Sequence, residues 1–144
     1  MANILVSACL LGIECRYKGD GCPCEGIKAL AERHTLIPVC PEQLGGLATP
    51  RPPAERQGDK VVNREGQDVT EAYALGAQRA LRIAHLNHVS VAVMKAKSPS
   101  CGSGRVYDGT FSGRLIPGDG VCAQALKQAG IAVYSEEDYG EAGL

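Results

Sequence analysis

Short apolar runs alternate with helical patterns along this chain. The runs read as strands buried on both faces of a sheet, and they cover residues 4–6, 36–39, 89–94 and 131–134. Apolar residues at helical spacing predict helices over residues 27–34, 70–85 and 120–129. Strands that alternate with helices form parallel sheets covered on both faces. We therefore expect a single compact three-layer α/β domain over residues 1–144, with a mainly parallel, Rossmann-like sheet.

The segments between these elements are rich in glycine and proline. Pro38 is unusual in a central strand and predicts either an edge strand or the end of a strand. Two glycines and four prolines between residues 40 and 54 argue against regular structure over most of that stretch. Residues 60–69 predict a hairpin, and Asp108-Gly109 predicts a second hairpin turn. The acidic tail from about residue 135 is expected to be marginally ordered.

Composition and charge narrow the function classes. The 144 residues include no Trp and a single Phe, so the core must be aliphatic. A net charge of −1 without a basic cluster argues against a nucleic acid polymer as partner, whereas a small charged substrate remains compatible. The N-terminus shows no signal peptide, and no apolar run is long enough to cross a membrane. We expect a cytoplasmic protein.

Three cysteines lie just past the ends of predicted strands. Cys9, Cys40 and Cys101 come after the first, second and third strands, and parallel strands bring their carboxyl ends to one sheet edge. In a reducing compartment, cysteines that converge in this way indicate a shared metal or cluster rather than disulfides. A structural zinc site takes four ligands, commonly with Cys-x-x-Cys spacing, which this chain lacks. Three thiolates suit a [4Fe–4S] cluster with one open iron.

The other cysteines carry weaker signals. Cys15, Cys22 and Cys24 share the glycine-rich loop after the first strand. We interpret this segment as a surface loop, with a second metal site or a thiol–disulfide pair as the alternative. Cys122 lies on a predicted helix and is expected in the core.

Several polar residues occupy the same loops as the three cysteines. Glu42 follows Cys40 by two residues and is a candidate general acid or base. Ser98 and Ser100 precede Cys101, and either hydroxyl could orient water or relay a proton. Arg51 is a candidate anchor for a substrate anion or carbonyl. The loop over residues 113–120 opens a helix and could offer N–H groups to an anion.

Motifs in the same segments resemble the bacterial 2-thiouracil desulfurase family. The likeness runs from residue 4 to about residue 134. It rests on SACLLG at 7–12, CPEQLGGL at 40–47, TPRPP at 49–53, KSPSCG at 97–102, YDGTFSG at 107–113 and PGDG at 117–120.

The resemblance implies a [4Fe–4S] cluster on Cys9, Cys40 and Cys101. It implies that Glu42 and Ser98 form a catalytic acid/base pair, and it leaves Arg51 and Ser100 as candidate substrate contacts. In such enzymes the substrate sulfur binds the open iron, and water then replaces that sulfur at the ring carbon. The expected reaction converts 2-thiouracil, or a related nucleoside or nucleotide, to the oxo form plus sulfide without net redox change.

Two alternatives remain on the sequence alone. One is a non-catalytic iron–sulfur or sulfur carrier, which would not need Glu42. The other is a zinc-dependent hydrolase on the same three cysteines. The sequence does not choose between free base, nucleoside and nucleotide, and it does not predict an oligomeric state.

Overall fold

The computed structural model describes all 144 residues and contains twelve strands and α-helices. In chain order these are β1 (Asn3–Ser7), α1 (Glu25–Lys28), β2 (Thr35–Val39), α2 (Pro41–Leu44), β3 (Ala54–Gln57), β4 (Lys60–Asn63), α3 (Thr70–Leu86), β5 (Val91–Met94), β6 (Arg105–Tyr107), β7 (Leu115–Pro117), α4 (Val121–Gln128) and β8 (Ala132–Ser135). Three 3-10 turns cover Ala8–Leu11, Ala29–Glu32 and Tyr139–Ala142.

A four-stranded parallel sheet forms the centre of the domain. Its strand order is β2-β1-β5-β8, and every neighbouring pair is parallel. The prediction of an edge position for the strand that contains Pro38 is confirmed, because β2 has only β1 as a neighbour. The two central strands are almost entirely buried, as expected for strands covered on both faces.

Helices cover both faces of the sheet, which confirms the predicted α/β class. On one face, α3 packs through the small buried residues Ala77, Ala80 and Ala84, and α4 packs beside it. On the other face, α1 and the short 3-10 turns close a second cluster that includes Ile27 and Leu30. The core is aliphatic, as the composition requires, and Phe111 belongs to neither cluster.

The small hairpins differ from the prediction. The first hairpin pairs β3 with β4 across a turn at residues 58–59, so it begins at Ala54 and not at residue 60. The proline-rich stretch before it also contains a short helix, α2. The predicted turn after β4 also exists, because an isolated bridge joins Val62 to Asp68. The second hairpin pairs β6 with β7, and its connection is a wide loop over residues 108–114 rather than a two-residue turn.

The acidic tail is anchored, which corrects the expectation of marginal order. Glu136 accepts hydrogen bonds from the Lys95 ammonium at 2.6 Å and from the Ala96 N–H at 2.7 Å. Tyr139 packs against the second core cluster. Charge pairing and aromatic packing therefore hold a segment that looked solvated in the sequence.

A glycine pair sets the distance between α2 and α3. A Cβ at Gly76 would lie 1.8 Å from the Pro41 carbonyl oxygen, and one at Gly45 would lie 2.0 Å from the Ala72 oxygen. The two backbones therefore touch directly, and no side chain larger than hydrogen fits between them. This contact positions the short helix that carries Glu42.

We expect Gly76→Ala to destabilise the protein by ~1–3 kcal/mol, because the added methyl group must push α2 away from α3. In an open helix the same change would stabilise by about 0.5–1 kcal/mol. Gly140→Ala is the matched control, since nothing lies within 4 Å of a Cβ at that position. Urea unfolding measures both variants. Equal stability of Gly76→Ala and the wild type would contradict the close contact.

Candidate functional site

One large cavity opens at the carboxyl edge of the parallel sheet. Its volume is about 690 Å³, and its wall includes Cys9, Cys40 and Cys101. Each of these cysteines follows a different parallel strand: β1, β2 and β5. The structure thus brings together the three thiols that the strand pattern predicted to converge.

Local structure fixes each of the three thiols. Cys9 sits in the 3-10 turn that continues β1 and is 7% exposed. Cys40 is the residue before α2, where Pro41 starts the helix with its fixed φ. Cys101 follows Ser98 in a tight turn and is 6% exposed. All seven cysteines of the chain are free thiols.

The Cys101 loop is fastened to the start of α4. The N–H groups of Val121, Cys122 and Ala123 donate to the carbonyls of Pro99 and Ser100 at 2.8–3.1 Å. A Cβ at Gly120 would lie 2.5 Å from the Ser100 carbonyl, so the helix end and the loop are in contact. The predicted anion site at this helix start is wrong, because carbonyl oxygens of the loop already occupy its first N–H groups.

Cys15 also lies in the cavity wall, which corrects its interpretation as a surface-loop residue. Its side chain is buried, and its carbonyl oxygen accepts from the Cys40 thiol at 3.7 Å and from Arg51 at 3.0 Å. A hydrogen bond with Cys40 lowers the pKa of Cys15, but a hydrogen bond with Cys9 and burial outweigh it and raise this pKa to about 11. Cys15 therefore adds a neutral thiol between two of the predicted ligands.

The donor set fits an iron–sulfur cluster. The hydrogen bond with Cys15 and burial raise the pKa of Cys40, and burial raises that of Cys101, so both are neutral thiols when no metal is bound. Bound iron would reverse this preference and favour the thiolates. No three His, Cys, Asp or Glu side chains converge tightly enough to hold one metal ion. A cluster has no such requirement, because each thiolate binds a different iron.

The Glu42 carboxylate enters the same cavity and has two side-chain donors. Arg51 forms a salt bridge with one oxygen, and the Tyr73 hydroxyl donates to the other at 3.1 Å. The Arg51 side chain is 6% exposed and that of Glu42 is 15% exposed. Burial tends to lower the pKa of Arg51, but the Glu42 carboxylate raises it, and the guanidinium stays charged. Burial and Glu42 both raise the pKa of Tyr73, so its hydroxyl keeps the proton that it donates.

The Ser98 hydroxyl lies in the cavity wall, where its hydrogen bonds leave it the role of a donor. Its oxygen accepts hydrogen bonds from the N–H groups of Ser100 at 3.1 Å and Cys101 at 3.0 Å. A serine oxygen offers two acceptor lone pairs. With both in use, the hydroxyl proton is free to point into the cavity as a donor.

Two predicted substrate contacts lie outside the cavity wall. Arg51 is directed at Glu42, at the Cys15 carbonyl and at Thr49. Ser100 is 1% exposed, and its hydroxyl oxygen has no hydrogen-bond partner. Neither residue is among those that line the cavity. The structure thus separates Ser98 from Ser100, which the sequence alone did not.

Sequence reasoning missed several residues that the structure places at the site, among them Tyr73, Arg64 and Phe111. Tyr73 lies on the buried face of α3, and no pattern in the sequence marked it as a site residue. Arg64 and Phe111 come from two different hairpin segments, yet both line the cavity, and the guanidinium stands 5.5 Å from the ring centroid. Only the YDGTFSG motif around Phe111 carried a signal, as part of the family resemblance.

No helix of the structure is long and apolar enough to span a membrane.

Known proteins resemble this chain over nearly its whole length. The family model described as 2-thiouracil desulfurase matches residues 4–138. An uncharacterised protein of Bacillus subtilis (strain 168), YbbK, is 48% identical over 94% of this chain and 96% of its own length. A solved structure of the [4Fe–4S]-dependent thiouracil desulfidase TudS superimposes with a TM-score of 0.94 at 43% identity, covering 99% of this chain and 96% of that one. This chain therefore belongs to the 2-thiouracil desulfurase family.

Proposed function

We propose that this chain removes the sulfur of a thiolated pyrimidine and leaves the oxo form plus sulfide, without net redox change. The observation that carries the proposal is the convergence of Cys9, Cys40, Cys101 and Glu42 on one cavity. The size of the cavity, about 690 Å³, falls within the usual range for small-molecule sites. Family membership and the 43% identity to the thiouracil desulfidase support the same reaction.

The proposed cluster ligands are Cys9, Cys40 and Cys101. One free thiol after each of three parallel strands gives a three-thiolate set that leaves one side open to the cavity. When bound, a [4Fe–4S] cluster with an open iron supplies a Lewis acid for the substrate sulfur.

Glu42 is the proposed general base. Its two donors, Arg51 and Tyr73, fix the direction of the carboxylate. A carboxylate oxygen accepts more than one hydrogen bond, so each oxygen can still accept a proton from water. Glu42 would thus take a proton from the water that attacks the ring carbon.

Ser98 is the proposed donor of the pair. Because its oxygen already accepts two backbone N–H groups, the hydroxyl proton points outward to a substrate or water oxygen. These contacts assign the two roles: Glu42 accepts a proton, and Ser98 donates a hydrogen bond. Arg51 acts through Glu42 in this scheme and has no direct contact with the substrate.

The proposed setting is the cytoplasm, with residues 1–144 acting as one domain. Seven unpaired cysteines are typical of a reducing compartment. The proposed partner is a small thiolated nucleobase-type substrate, for which a single chain supplies the cavity wall.

The test is made on protein purified without oxygen. Iron and acid-labile sulfide are measured first, then sulfide release from 2-thiouracil, its nucleoside and its nucleotide. Iron with sulfide release supports the proposal and identifies the substrate form. Iron without release from any of the three would favour the carrier, and zinc in place of iron would favour the hydrolase.

A further inference from the structure

Phe111 is the only phenylalanine of the chain, and it lines the cavity instead of the core. It belongs to neither buried cluster and is half-exposed. The Arg64 guanidinium lies 5.5 Å from its ring centroid and lines the same cavity. A large flat side chain that the core does not use therefore forms part of the site wall.

The backbone at Phe111 adopts a conformation that a phenylalanine rarely takes. Its φ is +57°, in the left-handed region where a side chain meets steric strain. Strain of this kind persists only when the surroundings enforce it, and it is concentrated at functional sites.

A buried carboxylate holds the backbone of Phe111 in this conformation. Glu55 on β3 accepts hydrogen bonds from the N–H groups of Gly109 at 3.0 Å and Phe111 at 3.1 Å. The Thr110 hydroxyl also lies 2.6 Å from both Asp108 and Ser112 oxygens. Hydrogen bonds from β3 and within the loop thus hold the backbone of the segment that carries Phe111.

An aromatic ring backed by a guanidinium is suited to a flat heteroaromatic ligand. Nucleobases stack on aromatic side chains, and the Arg64 cation over the ring adds an attractive contact. The thiolated pyrimidine of the proposed function is such a ligand. We propose that Phe111 is the stacking surface for the pyrimidine ring and that Arg64 and Glu55 position it. This inference rests on the proposed function and identifies Phe111 as the residue that recognises the pyrimidine ring of the substrate.

The first experiment compares Phe111→Ala, Phe111→Leu and Phe111→Tyr with the wild type. In anaerobically prepared holoenzyme, Phe111→Ala should raise the KM for the thiolated substrate about tenfold, with kcat changed little, because stacking of a base on an aromatic ring contributes to binding. Phe111→Tyr keeps the ring and should stay within about twofold of the wild type. Phe111→Leu keeps apolar volume without a flat face and should fall between them.

A second measurement does not depend on the cluster. Calorimetry of the cluster-free full chain with uracil, the expected product, should show the same order of affinities. The wild type should prefer planar uracil to puckered 5,6-dihydrouracil, and Phe111→Ala should lose most of that preference. Equal affinity of wild type and Phe111→Ala for uracil, or an unchanged preference, would overturn the stacking role.

Phe111→Gly separates the ring from the loop. Glycine adopts a positive φ without strain, so this variant should have a higher melting temperature than Phe111→Ala. It should bind uracil as weakly as Phe111→Ala. Recovery of wild-type affinity in the glycine variant would show that loop geometry, not the ring, matters, and would overturn the proposal. Failure of the proposed function looks different: the wild type would then release no sulfide from any thiolated pyrimidine.

Discussion

Serine in place of Cys9, Cys40 or Cys101 is expected to abolish cluster binding. Each thiol follows a different strand of the sheet, so the loss of one leaves two ligands that local rearrangement cannot complement. The hydroxyl is a poor substitute, because iron–sulfur clusters are held by thiolates. The measurement is iron and acid-labile sulfide per chain, with the visible absorbance of the cluster, after anaerobic reconstitution of each variant.

The matched controls come from the other cysteines. Cys15→Ser removes a thiol from the same cavity wall, next to Cys9 and Cys40, and Cys24→Ser removes one from the same loop outside the cavity. Both should keep close to the wild-type iron content. A Cys15→Ser variant without iron, together with an iron-loaded Cys101→Ser variant, would move the third ligand from Cys101 to Cys15.

The convergence of the three ligands could be predicted from periodicity alone. Buried strands at 4–6, 36–39 and 89–94 require only parallel pairing to bring their carboxyl ends together, and that pairing follows from the helices between them. The structure confirms this sheet, including the edge position of β2. These features are local in sequence or follow from general topology, which is why one sequence was enough.

The surroundings of the ligands could not be predicted in this way. Cys15 reaches the cavity because the chain turns at Gly12, with φ at +93°, and folds back on the end of β1. Tyr73 meets Glu42 across 31 residues of sequence, through the glycine contact between α2 and α3. Such contacts depend on the packing of whole elements, and neither hydrophobic period nor turn residues encode them.

The choice between Ser98 and Ser100 shows the same limit at closer range. Both residues flank Pro99 and are equivalent in the sequence pattern. The turn directs the Ser98 hydroxyl to two N–H groups at the cavity, while the anchoring of the loop to α4 buries Ser100. Hydrogen bonds to the start of α4, at residues 121–123, therefore decide which hydroxyl is available.

Glu42→Gln is expected to retain the cluster and lose nearly all turnover. Glutamine has the same shape and can still bond Arg51 through its carbonyl oxygen, but it cannot accept a proton from water at neutral pH. Loss of a general base typically lowers the rate by about 10²–10⁴-fold. The measurement pairs iron content with the rate of sulfide release at saturating substrate.

Tyr73→Phe is the milder variant with which the rate of Glu42→Gln is compared. It leaves the Glu42 carboxylate and the Arg51 salt bridge in place and removes only the hydrogen bond at 3.1 Å. A hydrogen bond to a charged group contributes about 1.5–3 kcal/mol, so the rate should fall by roughly 10- to 150-fold. The ordering wild type, Tyr73→Phe, Glu42→Gln is expected for a carboxylate that both accepts the proton and is held in place by its neighbours.

A Glu42→Gln enzyme that retained its iron and turned over within about threefold of the wild type would rule out proton transfer to this carboxylate. Water activation would then require another group of the cavity, and the Ser98 hydroxyl could not serve, because its lone pairs are both engaged. A non-catalytic iron–sulfur carrier would show no turnover in any variant. The wild-type rate in the same assay therefore distinguishes a carrier from an enzyme whose general base is a residue other than Glu42. Full iron, fast wild-type release and a silent Glu42→Gln variant together are expected only if Glu42 is the base.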